Sequence, residues 1–213
     1  MLGLGAGGHA KVVLETLSAV GGHVVVGLLD PRRELWGTDV LGVSVLGDDD
    51  ELGRQYDHGV RHAFIGLGGA ADTRPRRRLY ELACSRGFDV VSAVHPSAVV
   101  APSTRLGRGA TVFALAAVNA DTRAGKNVIV NTGAVVEHDC RIGDHVHVAS
   151  GAVLASGVEV GDGAHVGAGA TILQGVRVGA GAVVGAGAVV THDVGAGVVV
   201  VGVPARELRK VEA

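Results

Sequence analysis

A six-residue repeat runs from Val94 to about Gly195 and constrains the fold of this 213-residue chain more than any other feature. The first position of each hexad is Val, Leu or Ile in sixteen of seventeen cases, and the fifth is a small residue such as Ala, Thr, Val or Cys. These first positions are Val94, Val100, Leu106, Val112, Val118, Ala124, Val130, Val136, Ile142, Val148, Leu154, Val160, Val166, Ile172, Val178, Val184 and Val190. An unbroken period of six predicts a solenoid of the parallel β-helix type.

Glycines that recur every eighteen residues predict the number of sides of this solenoid. They are Gly107, Gly125, Gly143, Gly161 and Gly179, so three hexads form one coil. The fourth hexad position is Gly, Asn, Asp or His in fourteen of seventeen cases, and these residues tolerate the positive φ of a tight corner. The sequence therefore predicts almost six triangular coils, a column about 27 Å long at about 4.8 Å between stacked strands.

Composition narrows the class of protein. Only 3% of the residues are aromatic, while 35 are Gly, which suits thin coils filled by small aliphatic side chains. The net charge is −2 and no dense basic face is present, so we expect no nucleic-acid partner. Cys84 and Cys140 are too few for a disulfide framework or a zinc set, and we expect Cys140 to fill the core. Without a signal peptide or a span of 18 apolar residues, we expect a soluble cytoplasmic protein with no membrane partner.

Residues 1–92 follow a different pattern, which predicts a small α/β domain of Rossmann-like βαβ type. Apolar strands, a glycine turn and helical spacing alternate in this region: strands at Met1–Leu4, Val24–Leu29 and His62–Leu67, a helix after Gly5–Lys11, and a second helix over about Asp72–Arg86. Ligands of a parallel sheet bind at the carboxyl ends of its strands, where Asp30 and Gly68 lie. Residues 93–213 then form the β-helix domain and its C-terminal cap, and the absence of a linker from Phe88 to Pro96 predicts rigid packing.

The glycine turn Gly3-x-Gly5-x-x-Gly8 is typical of a phosphate-binding site at a helix N-terminus, although a tight turn without a ligand is the alternative. Asp30 follows Gly8 at about the spacing of a ribose-binding acid. About 90 residues are half of a dinucleotide domain, so a mononucleotide or a nucleotide sugar fits better. The following helix carries arginines that could contact phosphate but that we expect to be mostly a solvated face: Arg74, Arg76, Arg77 and Arg78.

His138-Asp139 is the main candidate for chemistry among the ten histidines. The dipeptide occupies a predicted corner, where a carboxylate beside an imidazole raises its basicity and holds its tautomer, as a general base requires. The alternative is that Asp139 only fills the corner and His138 is solvated. His192-Asp193 repeats the dipeptide three coils further on, about 14 Å away along one edge. Further coils follow His138, with Ser156 eighteen residues later, whereas His192 lies at the end of the array. This context favours His138 over His192.

Three other histidines occupy defined positions in the hexads. His145 sits at a corner, where we expect a structural role. His147 and His165 are eighteen residues apart, hence stacked on one side at the outward position. One of the two is a candidate ligand contact, and the other is expected at the surface.

Several segments together resemble the nucleotide-sugar acetyltransferases of the left-handed β-helix superfamily. They are the hexad array, the Gly5-Ala6-Gly7-Gly8-His9 start, the segment from Asn131 to Cys140 and the Gly-Val-Pro-Ala-Arg ending. The nearest group comprises bacillosamine-pathway and perosamine N-acetyltransferases and sialic-acid O-acetyltransferases. The resemblance implies a left-handed parallel β-helix, an exception to the right-handed rule for crossovers.

The resemblance also implies roles for particular residues. His138 would be the general base and Asp139 the group that raises its basicity. The co-substrate acetyl-CoA would contact His147, Ala168, Ala186, Arg206 and the backbone N–H of Ser156. A relative carries Gly at the position of Ser156. The nucleotide sugar would meet Gly7, Gly8, His9, Asp30 and Gly68. No metal is required, and the family resemblance implies a homotrimer with the coenzyme between neighbouring subunits.

The sequence thus predicts acetyl transfer from acetyl-CoA to the amino group of a nucleotide-linked deoxy amino sugar, as in polysaccharide biosynthesis. In this reaction His138 takes the proton as the amine attacks the thioester directly. O-acetylation of a sugar hydroxyl, as in the sialic-acid relatives, uses the same residues and is the first alternative. The second alternative is a non-catalytic β-helix scaffold whose N-terminal domain senses a nucleotide.

Overall fold

The computed structural model describes residues 1–211. Its N-terminal part is a six-stranded sheet in the order β3-β4-β2-β1-β5-β6, in which all neighbours are parallel except β3 and β4. The strands are β1 (Leu2–Leu4), β2 (Gly27–Leu29), β3 (Asp39–Val40), β4 (Val43–Gly47), β5 (His62–Ile65) and β6 (Asp89–Val90). The helices are α1 (Gly8–Val20), α2 (Glu51–Asp57) and α3 (Arg74–Ser85), with a 3-10 turn at Arg33–Leu35.

The predicted parallel α/β sheet is confirmed, but its three predicted strands are shorter than expected, the first by Met1 alone. The second begins at Gly27 rather than Val24, and the third ends at Ile65 rather than Leu67. The hairpin of β3 and β4 was not predicted. The first strand packs so closely that a Cβ atom on Gly3 would lie 2.4 Å from the Phe64 ring, so only glycine fits there.

The remaining chain forms a left-handed parallel β-helix, as predicted. Its two-residue strands β7 to β23 are, in order, Ala93–Val94, Val99–Val100, Arg105–Leu106, Thr111–Val112, Ala117–Val118, Arg123–Ala124, Ile129–Val130, Val135–Val136, Arg141–Ile142, His147–Val148, Val153–Leu154, Glu159–Val160, His165–Val166, Thr171–Ile172, Arg177–Val178, Val183–Val184 and Val189–Val190. Each strand from β7 to β20 pairs with the strand eighteen residues later, so three hexads form a coil.

Three sheets form the sides of the prism, and their outward residues differ in character. The domain-facing sheet (β7, β10, β13, β16, β19 and β22) carries outward residues that are mostly buried beneath the N-terminal part. The valine sheet (β8, β11, β14, β17, β20 and β23) presents Val99, Ala117, Val135, Val153, Thr171 and Val189. The arginine sheet (β9, β12, β15, β18 and β21) presents Arg105, Arg123, Arg141, Glu159 and Arg177.

The corners adopt the predicted left-handed backbone. Every fourth hexad position from Gly109 to Gly187 has a positive φ, near 60° to 70°. Leu115 shares this conformation with a φ of 60°, although the preference for Gly, Asn, Asp and His did not predict it there.

The hexad frame ends earlier than the sequence suggested. Val194 pairs with Val178 rather than with Val176, so the last coil is two residues short. The expectation of an unbroken frame to Gly195 is therefore wrong. Two further strands, β24 (Val198–Val201) and β25 (Arg206–Lys210), follow as an antiparallel pair at the end of the domain-facing sheet.

The two parts of the chain share one core. Phe113, Ile129 and Ala93 of the domain-facing sheet lie in the same buried cluster as apolar residues of α1 and the N-terminal sheet, among them Leu17 and Phe64. The coils enclose a separate column of Val, Ala, Ile and Leu. None of the helices within residues 1–211 combines the length and apolar content that crossing a bilayer requires.

Candidate active site

The glycine turn joins β1 to α1 and leaves the helix N-terminus open. Gly5 has a φ of 104°, and a Cβ there would lie 2.9 Å from the backbone of Gly66. Gly7 is the N-cap, and among the described residues no side chain caps this helix. Its first N–H groups are therefore available to an anion, which the helix dipole also favours.

Asp30 lies buried at the end of β2, next to this turn. Its Oδ2 accepts a hydrogen bond from the Ala6 N–H at 2.9 Å, and its Oδ1 accepts one from Arg32 Nε at 2.8 Å. The hydrogen bond from Arg32 lowers the pKa of the Asp30 carboxyl, which stays ionised. Arg32 Nη2 lies 3.7 Å from the position of a Cβ on Gly7. Asp30 therefore holds a half-exposed guanidinium at the turn, a cation that sequence analysis missed although it follows Asp30 by two residues.

His9 and Gly68 complete this cluster from two sides. A Cβ on Gly68 would lie 3.4 Å from His9 Nδ1, and the His9 ring packs edge-on to Phe113 with centroids 5.2 Å apart. Burial, together with the nearby Arg76 and His147, lowers the pKa of His9 to about 3, so the ring is neutral at physiological pH. The structure thus brings together all five residues expected to meet the nucleotide sugar.

Arg76 is the one buried member of the arginine group that was predicted to be mostly solvated. Its side chain is buried and donates hydrogen bonds from Nη1 to the carbonyls of Ile65 at 2.9 Å and Leu67 at 2.7 Å. On the other side, Nη2 reaches Thr111 of the domain-facing sheet at 3.3 Å. Burial lowers the pKa of Arg76 to about 9. Arg76 therefore links the loop after β5 to the β-helix through these hydrogen bonds.

The other three arginines of this group are exposed, as predicted. Arg74 forms an ion pair with Asp72, and Arg77 forms one with Glu81. Arg78 also lies at the surface.

His147 and His165 stack in the predicted register, but the expectation that one lies at the surface is wrong. They are 6% and 8% exposed, with ring centroids 4.9 Å apart. His147 Nδ1 donates to the Gly69 carbonyl at 3.1 Å, and its Nε2 accepts from Asn131 at 3.2 Å. Burial, then the neighbouring His165, lowers the pKa of His147 to about 4. His147 thus ties the Gly68 loop to the domain-facing sheet.

His138 occupies the edge between the valine sheet and the arginine sheet. Asp139 takes the corner with a φ of 61°, which turns its carboxylate back so that Oδ2 lies 2.7 Å from His138 Nδ1. The two side chains are 54% and 65% exposed. With Nδ1–H donating to the carboxylate, Nε2 carries the lone pair, and Ser156 Oγ lies 2.9 Å from it.

The second His-Asp dipeptide has a different structure. His192 Nδ1 is 2.8 Å from Thr191 Oγ1, whereas Asp193 accepts a hydrogen bond from the Arg177 N–H at 2.8 Å. The shortened last coil separates the carboxylate from the imidazole. His192 therefore lacks the partner that His138 has.

His145 has the structural role that its corner position suggested. The ring is buried, packs edge-on to Tyr80 and lies 2.9 Å from the Asn127 amide.

The residues expected to meet acetyl-CoA lie on different parts of one protomer. Ser156 shares the edge of His138, one coil further on. Ala168 and Ala186 are exposed on the opposite edge of the valine sheet, next to the domain-facing sheet. Arg206 is exposed at the start of β25. One protomer therefore does not bring the two alanines to His138.

Both edges have room for an extended thioester substrate. A Cβ on Gly157, beside Ser156, would meet no atom within 4 Å, and the same holds for Gly169 and Gly187 beside the two alanines. The small residues and open space along both edges could accommodate the narrow pantetheine arm of acetyl-CoA. The exposed His138 imidazole is accessible to a thioester group bound at its edge.

Comparisons with known proteins agree with this architecture. The model of the PglD N-terminal domain matches residues 3–82, and that of the bacterial transferase hexapeptide (six repeats) matches residues 122–156 and 157–192. No curated protein gives a significant match.

Three solved structures extend over nearly the whole chain. PerB of Caulobacter crescentus, in complex with CoA and GDP-perosamine, is 44% identical over 97% of this chain and 96% of that one, with a TM-score of 0.91. The acetyltransferase domain of PglB from Neisseria gonorrhoeae FA1090, in complex with acetyl coenzyme A, is 36% identical over 97% and 98%, with a TM-score of 0.89. WeeI from Acinetobacter baumannii AYE is 29% identical over 98% and 99%, with a TM-score of 0.81.

Proposed function

Because this chain belongs to the hexapeptide-repeat acetyltransferases of the left-handed β-helix fold, with acetyl-CoA as co-substrate, we propose that it acetylates the amino group of a nucleotide-linked deoxy amino sugar. The observation that carries this proposal is the exposed His138 imidazole, held by Asp139 at 2.7 Å with its Nε2 directed away from the carboxylate. The structure of PerB with CoA and GDP-perosamine supports the choice of an amino sugar. We place the reaction in the cytoplasm and in polysaccharide biosynthesis.

The arrangement of His138 is that of a general base. As the amine attacks the thioester carbonyl and loses a proton, Nε2 gains a proton, and the Asp139 carboxylate stabilises the imidazolium. The protonated ring then returns the proton to the departing thiolate. The N–H of Ser156 has no acceptor among residues 1–211, which leaves it available to the oxyanion of the tetrahedral intermediate.

The N-terminal domain, residues 1–92, would hold the nucleotide sugar. The open N–H groups of α1 and the Arg32 guanidinium suit a diphosphate, which carries the charge that both favour. His9 and Gly68 border the same cluster. The buried contacts of Arg76 and His147 then hold this domain against the β-helix.

A homotrimer would complete the site. The valine sheet is the only apolar side among the described faces, since the domain-facing sheet is covered and the arginine sheet is charged. Three valine sheets around a three-fold axis bring the His138 edge of one copy to the edge of its neighbour that carries Ala168 and Ala186. Acetyl-CoA would lie between these two edges, in contact with both subunits.

Thiol release from acetyl-CoA tests the reaction, with a panel of nucleotide-linked amino sugars and free sialic acid as acceptors. We expect release with at least one amino sugar and none with sialic acid. Release with sialic acid alone would assign O-acetylation instead. If no acceptor in the panel gives thiol release and acetyl-CoA does not bind at millimolar concentration, the nucleotide-sensing scaffold would be favoured.

A further inference from the structure

The hydroxyl of Ser156 occupies the position from which His138 would accept a proton. Ser156 Oγ lies 2.9 Å from His138 Nε2, while Nδ1 of the same ring lies 2.7 Å from Asp139 Oδ2. The stacking of coils fixes this contact, because the Gly157 N–H donates to the His138 carbonyl at 2.9 Å. The role expected for Ser156 in binding acetyl-CoA involved its backbone N–H. The structure adds a side chain in line with the base.

The direction of these hydrogen bonds follows from the chemistry of the groups. The ionised carboxylate only accepts, so Nδ1 carries the ring proton and Nε2 accepts. The Ser156 O–H therefore donates to Nε2, and its two oxygen lone pairs face away from the ring. Because the Ser156 hydroxyl occupies the lone pair of Nε2, an amine can pass its proton to this nitrogen through the serine oxygen.

We propose that the Ser156 hydroxyl relays the proton from the acceptor amine to His138, an inference that rests on the proposed function. The amine nitrogen forms a bond to the thioester carbon and transfers its proton to Ser156 Oγ. In the same step, the original hydroxyl proton passes from Oγ to Nε2. The imidazolium then protonates the departing sulfur, so that Ser156 and His138 both regain their starting states.

The chain provides a control for the loss of a serine hydroxyl. Ser85 is an exposed serine at the end of α3, and its Oγ donates a hydrogen bond to the Leu82 carbonyl of the same helix at 2.8 Å. Replacement of Ser85 therefore removes a hydroxyl that lies outside both edges of the valine sheet.

The test compares Ser156→Ala, Ser156→Thr and Ser85→Ala by steady-state kinetics with an accepted amino sugar. Ser156→Ala keeps the backbone N–H, so we expect kcat to fall about a hundredfold, the lower end of the roughly 10²–10⁴ that a positioned acid or base contributes. The KM for acetyl-CoA should stay within about twofold. Ser156→Thr restores a hydroxyl and should recover most of kcat, and Ser85→Ala should match the parent enzyme.

Rates in mixtures of light and heavy water provide a readout that a structural role would not change. Two protons move together in a relay, so the plot of kcat against deuterium fraction should curve for the parent enzyme and become linear for Ser156→Ala. Parent-like kcat and curvature in Ser156→Ala would overturn the relay. So would an acetyl group on Ser156 in rapidly quenched samples, because it would identify a nucleophile. A fully active His138→Ala would instead refute the proposed base.

Discussion

Replacement of Arg76 by Met tests whether the N-terminal domain is held against the β-helix by this buried guanidinium. The substitution keeps much of the apolar stem but leaves the carbonyls of Ile65 and Leu67 without their donors, now at 2.9 and 2.7 Å. An unsatisfied buried acceptor costs about 1–3 kcal/mol. The Ile65 carbonyl is buried, whereas Leu67 is 37% exposed, so water can reach its carbonyl. We therefore expect Arg76→Met to lower the free energy of unfolding by about 1–3 kcal/mol.

The same change should also weaken substrate binding. Leu67 precedes Gly68, so release of its carbonyl loosens the loop beside His9, and we expect a higher KM for the nucleotide sugar. Urea unfolding at fixed protein concentration and initial-rate kinetics measure the two effects. Arg77→Met is the control, since its exposed ion pair with Glu81 should contribute at most about 1 kcal/mol. Equal stability and equal KM in the two variants would refute the proposed role of Arg76 in holding the N-terminal domain against the β-helix.

Three other outcomes follow from the structure. Burial lowers the pKa of His147 from 6.5 to about 4, so the unfolded chain binds more protons between these pH values. The contribution of His147 to stability should therefore fall by about 3 kcal/mol as the pH drops from 7 to 4. Urea unfolding at several pH values checks this, and His147→Asn should reduce the pH dependence by about this amount while that of the buried His9 remains. Gly143→Ala places a Cβ 2.3 Å from Asp162 Oδ1 and 2.7 Å from its backbone nitrogen, so we expect a loss of about 1–3 kcal/mol in unfolding experiments. Val153→Asp puts a charge in the valine sheet and should convert trimers to monomers in sedimentation experiments, and persistence of the trimer would contradict the proposed interface.

The repeat made most of the fold predictable, because each coil contacts mainly the coils directly above and below it. The register between Val112 and Val130 follows directly from the spacing of eighteen. The shortened coil at Asp193 did not follow, since its pairing depends on β24 and β25, which lie outside the frame. Periodicity describes the stacking of coils but not the way in which the last one ends.

The site was predictable where it depends on local sequence. The glycine turn and the His138-Asp139 corner are each formed by a short continuous segment of the chain. Burial of Arg76 and His147 was not predictable, because it arises from packing of the N-terminal domain against one side of the prism. The contact between Ser156 and His138 lies between these cases: the spacing places the residues on one edge, but the direction of the hydroxyl requires the structure.

The central claim, that His138 is the general base, is tested most directly by kcat for His138→Ala beside His192→Ala. His138, unlike His192, has a carboxylate hydrogen-bonded to its Nδ1. Loss of the His138 imidazole should therefore reduce kcat by about 10²–10⁴ while acetyl-CoA still binds. His192→Ala should retain parent-like turnover. Full activity in His138→Ala, with loss in His192→Ala, would contradict this assignment and move the reaction to the end of the β-helix.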